Sequence, residues 1–284
     1  MPEENLLAEL QDRLEPSVRK AAARMFEELR RSFTLDSIEE LIRSGDVTSA
    51  VLATLDDLFG GLREALVDVY EESGAATATL VGAPFVFDRL TDRGVGRLRG
   101  WLTSLNGLLR EAQRAAILQA YSGSLSSRLT PAQQAMLVRA AIGLNSTSAA
   151  GLSSYVRGLL MRGAEPGNSL SPTTLARMAE AFASGMRRRR YATVAEAEAL
   201  AAINMAAFEA FSQAEDGGAA VERQWVTRGD SHVRPSHQGL SGLVRGLNET
   251  FPGLDGSLRF PGDPQAPASE RIRCRCHLTY RRNG

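Results

Sequence analysis

Apolar residues recur at steps of three and four over most of the first 215 positions. Between residues 5 and 33, Leu7, Leu10, Leu14, Val18, Ala21, Met25 and Leu29 form one seam. That spacing predicts a helix with a single buried face, bent near Pro16. Residues 35–42 predict a short second helix. Thr48 predicts the cap of a third, in which Leu52, Leu55, Phe59, Leu62 and Leu66 repeat the seam. The Gly- and Ala-rich residues 73–84 read as a break, with residues 77–81 as loop.

Helical period resumes from Leu90, with Leu102, Leu105, Leu109, Ala112 and Ala116 on one stripe, and Ser122-Gly123 reads as its end. Thr130-Pro131-Ala132-Gln133 predicts a helix start: Thr caps, Pro takes the first position, and Gln reaches back. After a turn at residues 143–146, residues 148–162 predict another helix, and Ser171-Pro172 opens the next by the same device. Arg187, Arg188, Arg189 and Arg190 then read as a solvated helix C-terminus, where positive charge suits the dipole. Contact with DNA or with an acidic protein surface is the alternative. Thr193-Val194-Ala195-Glu196 reads as a capping box opening a helix with Ala197, Ala201, Asn204, Phe208 and Phe211 along one side. Asn204 lies in that apolar stripe, so its amide needs partners, expected from the backbone of the terminal module.

After Gly217-Gly218 the period changes. Trp225-Val226-Thr227 predicts a short strand ended by Arg228-Gly229-Asp230, followed by a polar cluster of Asp230, His232, Arg234 and His237. From residue 271 to 280 the chain alternates, which predicts a strand with Ile272, Cys274, Cys276, Leu278 and Tyr280 on one face. The fold class expected is mainly α, with helical N-terminal (1–83) and middle (84–215) regions and a small C-terminal α+β module (216–284) holding a two- or three-stranded sheet.

The order Trp225, Asp230, Val233-Arg234, His237, Gly242, a loop with Pro261 and Pro264, and Cys274-Arg275-Cys276 resembles the C-terminal domain of the phage minor head proteins, the Mu F-like head morphogenesis family. The resemblance covers about the last fifth of the chain. Upstream, that family often carries an Ala-Arg-Thr-Glu run on a helix, where this chain has Ala195-Glu196-Ala197-Glu198. The resemblance implies a structural virion protein at the portal vertex, with the portal protein or the major capsid protein as partner and packaged double-stranded DNA as a further contact. A DNA-contacting ejection or packaging factor is the alternative reading.

Charge neither adds to nor opposes that expectation. The 33 basic residues balance 33 acidic ones, so no global field draws in DNA or an anionic membrane, and nucleic-acid contact has to be local. Arg273 and Arg275, expected to face away from the core, join the four consecutive arginines as candidates for DNA or portal contact. No apolar run approaches the roughly 20 residues that span a bilayer, so no direct membrane insertion is expected. Two cysteines and no charged-then-apolar leader predict synthesis in a reducing cytoplasm.

His237, Cys274 and Cys276, with His232, His277 or Asp230 as a fourth, are the donor types of a tetrahedral structural zinc site. Such a site would staple a module with few large apolar side chains. Cys-x-Cys on a flat strand sets its thiols wide for one ion unless the backbone bends. Buried thiols beside a hydrogen-bonded His237 are the second reading, and a disulfide is the third. Asp230 and Arg234 read as an ion pair or turn clamp. No catalytic residue is assigned: Asp230, His232 and His237 as a metal-dependent hydrolase or nuclease, or His237 with Cys274 as a thiol nucleophile, lack a second supporting motif.

Overall fold

The computed structural model describes residues 6–81, 86–163, 170–254 and 256–283. The chain is mainly helical and ends in a small strand-bearing module, as the periodicity predicts. Among the described residues the helices are α1 (Leu6–Arg31), α2 (Leu35–Ser44), α3 (Val47–Val81), α4 (Asp92–Ser126), α5 (Pro131–Ala141), α6 (Ser146–Gly163), α7 (Pro172–Asp216), α8 (Pro235–Gln238) and α9 (Ala268–Arg271). The strands are β1 (Ala220–Val226), β2 (Val244–Gly246), β3 (Phe251–Gly253), β4 (Gly256–Leu258) and β5 (His277–Asn283). Spatially the chain forms two compact units: Met1–Lys20, Arg63–Trp101 and Thr193–Gly284 make the first, Ala21–Leu62 and Leu102–Ala192 the second. This grouping differs from three consecutive regions, because α1, α3, α4 and α7 each supply a segment to both units. The expected boundary at 83/84 lies outside the described residues.

Several helices are longer than their local signals suggest. α1 runs through Pro16 as one element. α3 begins at Val47, where the Asp46 carbonyl accepts from the Ala50 N–H at 3.0 Å, so Thr48 lies inside the first turn rather than capping it. It then continues to Val81 through the stretch expected to be a break and a loop. The hydroxyls there are satisfied within the helix: Thr77 Oγ1 donates to the Ser73 carbonyl at 2.7 Å and Thr79 Oγ1 to that of Ala75 at 3.0 Å. Gly74 makes room for Phe87, whose ring lies 2.2 Å from where a Cβ would stand. Small residues at this position permit close packing and do not break the helix. The same holds at Ser122-Gly123, expected to end α4: a Cβ on Gly123 would meet Ser153 Oγ at 2.7 Å, and the helix continues to Ser126.

In the second unit, the start of α5 is built as predicted, with Thr130 and Gln133 bonded reciprocally. α2 packs on α5 and α5 on α6, while Phe26 stacks on Tyr191 (5.1 Å) and Tyr155 on Phe182 (4.3 Å). The largest departure is α7. Arg187 to Arg190 lie in the middle of a 45-residue helix and not at an end, and Thr193 to Glu196 are inside it, so no capping box begins there. The physical reason is that two of the four arginines are used inward. Arg187 is 1% exposed, donates to the Ala140 carbonyl at 2.9 Å and pairs with Glu180. Arg190 donates to the Leu144 carbonyl at 2.5 Å and lies 4.9 Å over the Phe26 ring, in surroundings that pull its pKa down to about 10 by desolvation. The Ala140 carbonyl belongs to the last turn of α5, where no intrahelical donor is available. Arg187 therefore caps a neighbouring helix.

In the first unit, the sheet order is β2-β1-β5, all antiparallel, with Trp225 opposite Leu278 and Arg223 opposite Tyr280. A separate hairpin pairs β3 with β4. Gly242, at φ +85°, donates to the Trp225 carbonyl at 2.8 Å and turns the chain into β2. The loop with Pro261 and Pro264 is organised by Asp263, which accepts from the Arg259 side chain at 2.8 and 2.6 Å and from the backbone N–H of Arg259 and Gln265. Gly262, at φ +77°, brings this loop against α7, a Cβ there standing 3.2 Å from Leu200. Asn204 is buried in α7 as its place in the stripe predicts, yet its Nδ2 donates to Leu200 of its own helix, not to the module backbone. No helix is long and apolar enough to cross a membrane among the described residues.

Candidate metal centre

Two segments build the cluster around His237. The first is the turn after β1: Asp230 accepts from the His232 N–H at 2.9 Å through Oδ1 and from the Val233 N–H at 3.1 Å through its carbonyl. This is the closed turn an Asp after Gly favours. Pro235 then starts α8, which carries His237 inward, with Trp225 edge-on to its ring at 5.2 Å between centroids.

The second segment is α9 with the residues that lead from it into β5. The strand expected from residue 271 begins only at His277. Residues 268–271 make one helical turn, and Arg273 then adopts φ +58°, a left-handed conformation that costs a non-glycine residue about 1–2 kcal/mol. Ile272, expected on the buried face, is 44% exposed. Arg234 holds this turn by donating to the carbonyls of Ser269 and of Ile272, the latter at 2.5 Å. The turn clamp is therefore Arg234 on backbone carbonyls, and Asp230 pairs instead with Arg275, at 2.6 and 2.5 Å. The bend removes the objection to Cys-x-Cys, since both thiols reach the same imidazole. His237 Nδ1 lies 3.6 Å from Cys274 Sγ and 3.5 Å from Cys276 Sγ, and all three side chains are buried.

Glu270 completes the arrangement. Its Oε2 contacts His237 Nε2 and its Oε1 accepts from the Leu254 N–H at 3.3 Å. A carboxylate facing Nε2 accepts the hydrogen bond of an Nε2–H, the tautomer that turns the Nδ1 lone pair to the two sulfurs. Contact with Cys276, then burial, raises the Cys274 thiol well above its ordinary value. Cys276 is lowered, first by Cys274, with the Trp225 indole N–H, Arg234 and Arg275 also favouring its thiolate. Among the described residues, His237, Cys274 and Cys276 are the group whose donor atoms all lie within 4.8 Å of one another, a cluster compatible with a metal ion.

His232 does not join that set: it is exposed and its Nδ1 faces Ser231 Oγ at 3.3 Å. Asp230, His232 and His237 are not assembled as a hydrolase would need, because His237 faces the thiols and Asp230 is engaged by Arg275. Sequence reasoning missed Glu270, although it is the sole acid after Asp263 and stands four residues before Cys274. It also missed Arg223, fully buried, whose guanidinium holds the carbonyls of Gly246, Glu249 and Arg259. The signal that could have found it is the alternation of β1, which puts Arg223 on the same face as the buried Val221 and Trp225.

Residues 155–279 match the family model described as Phage Mu protein F like protein. This stretch is similar to the Mu F-like phage head proteins. Comparison with curated proteins and with solved structures found no match. The Mu F-like region takes in the end of α6, all of α7 and the terminal module as far as Thr279, including the whole His237, Cys274, Cys276 cluster and Glu198. That extent exceeds the last fifth of the chain on which the sequence motif rests.

Proposed function

We propose that this Mu F-like protein is a structural minor head protein, docking on the portal protein or the major capsid protein at the portal vertex during head assembly and residing in the virion. The observation that carries the reading is the family match over residues 155–279, whose buried polar anchors serve the fold. The test is coexpression with the portal and major capsid proteins of the same phage genome, followed by sedimentation. Stoichiometric comigration with portal rings or with capsid is the expected result; migration as a free chain in the presence of both would overturn the reading.

A DNA contact is the second reading. Arg187 and Arg190 are used inside the protein, whereas Arg188 and Arg189 are on the exposed side of α7, and Arg273 and Arg275 with His232 and Glu196 line a surface pocket of about 420 Å³.

The His237, Cys274, Cys276 cluster is read as a structural zinc site. Zn–S bonds of about 2.3 Å and a Zn–N bond of about 2.05 Å at tetrahedral angles set each N···S edge at about 3.6 Å. The two N···S distances of 3.6 and 3.5 Å fit that figure. Glu270 would orient the imidazole, as carboxylates do for metal-bound histidines. A bound ion would tie α8 to the segment between α9 and β5.

A further inference from the structure

The zinc reading leaves one vertex unaccounted for. A structural zinc site is closed by four protein ligands, whereas a site with three keeps a position for water or an external ligand. Here the set of mutually close donors has three members among the described residues. Glu270 is spent on His237 Nε2 and the Leu254 N–H, and His232 stands outside the set.

The space beside the three donors is shaped for one small ligand. A cavity of about 10 Å³ is lined by the three donors together with His232, Val233, Arg234, Arg273 and Arg275. That is close to the volume one water molecule needs. His232, Arg273 and Arg275 also line the 420 Å³ surface pocket, so the two spaces share a wall.

That shared wall carries two arginines, and one of them, Arg273, is held in a conformation that has to be maintained by its surroundings. Arg273 sits at φ +58° between the Arg234-clamped carbonyl of Ile272 and the buried Cys274. Strain of this kind persists where neighbouring structure over-determines it, and it collects at ligand sites. Two thiolates and a neutral imidazole around a divalent ion sum to zero charge, so the ion does not itself repel an incoming anion. The arginines of the shared wall then attract one.

Resting on the zinc reading, we propose that the metal is held by His237, Cys274 and Cys276 alone, and that its fourth position takes a small monodentate anion entering past Arg273 and Arg275. Water would fill the position when no anion is present.

The full chain loaded with Co²⁺ tests this, with azide as the anion. The visible d–d absorption of the bound cobalt is expected to change saturably with azide, equally in the wild type and in His232→Ala. Arg273→Asn keeps a residue that tolerates the left-handed conformation while removing the charge, and is expected to weaken azide binding about threefold, the scale of one partly screened charge. A cobalt spectrum indifferent to azide, or one that His232→Ala itself converts, would overturn the open position while leaving the metal site standing. Failure to take up cobalt stoichiometrically would overturn the metal site, and this inference with it.

Discussion

Arg271 donates through Nη2 to both carboxylate oxygens of Glu198, at 2.9 and 3.0 Å, across 73 residues of sequence. Trp101 Nε1 donates to the same carboxylate at 3.0 Å, and both charged side chains are buried. The pair anchors the turn before Cys274 to α7. Burial raises the Glu198 pKa, and Arg271 is the largest influence opposing that rise. Replacing Arg271 by Met is expected to cost about 3–5 kcal/mol at neutral pH by stranding the carboxylate. The double variant with Glu198→Leu should recover much of that loss in urea unfolding.

The pH dependence of the same variant follows from the sign of the shift. A carboxyl whose folded pKa is raised binds more protons folded than unfolded above its ordinary value of 4.5. Its contribution is fully present below that value and is lost as pH rises through the folded pKa. Arg271→Met removes the main opposing charge, so its stability deficit against the wild type should be largest near neutrality and shrink towards pH of about 4.5. A deficit independent of pH would show that Glu198 does not titrate in the fold.

Metal content is the direct check on the thiol cluster. Protein purified without chelator is expected to carry one zinc per chain, and Cys274→Ser, Cys276→Ser is expected to carry none. Chelation should lower the melting temperature of the wild type by about 10 °C, the shift of roughly 3 kcal/mol in a unit of this size, and leave the variant unmoved. Metal-free wild-type protein would leave the cysteines as buried thiols against His237.

The four consecutive arginines separate into structural and surface pairs. Arg187→Ala is expected to cost about 3 kcal/mol, because the Ala140 carbonyl and Glu180 lose a buried partner. Replacing Arg188, exposed and bonded only to the Ser184 hydroxyl among the described residues, by Ser should stay within about 0.5 kcal/mol of the wild type. If Arg188 and Arg189 meet duplex DNA, their joint loss lowers the slope of log affinity against log salt by about 2. An unchanged slope removes them from any DNA interface.

Arg223 offers a test confined to the terminal module. Its guanidinium joins the carbonyl of Gly246 at the end of β2 to those of Glu249 and Arg259 and lies within 5.3 Å of the Phe208 and Phe251 ring centres. Lysine keeps the charge but has no planar fork to reach several acceptors at once, so Arg223→Lys is expected to cost about 3 kcal/mol in thermal or urea unfolding. A variant as stable as the wild type would mean that water replaces these bonds.

Helical period, the Thr130 capping box and the Ser171 cap were legible because each depends on residues within one turn of one another. The sequence also marked Trp225, His237, Gly242 and the Cys-Arg-Cys run as the parts of one module. It misread residues 77–81, Ser122-Gly123 and residues 187–196 as ends of helices for one shared reason. Gly, Ser and Arg look like terminators locally, and only a neighbour such as Phe87, Ser153 or the end of α5 reveals that they serve packing or capping of another element.

What the amino-acid order determined by itself is therefore the helical class of the first 215 residues or so and the donor types of the cluster. What the tertiary structure decided is which donors meet. His237 and Cys274 are 37 residues apart, and their contact depends on the Arg234 clamp, the left-handed Arg273 and the Glu270 carboxylate acting together. Each of these is a long-range or strained interaction whose energy exists only once the chain has closed on itself, so no local spacing records it.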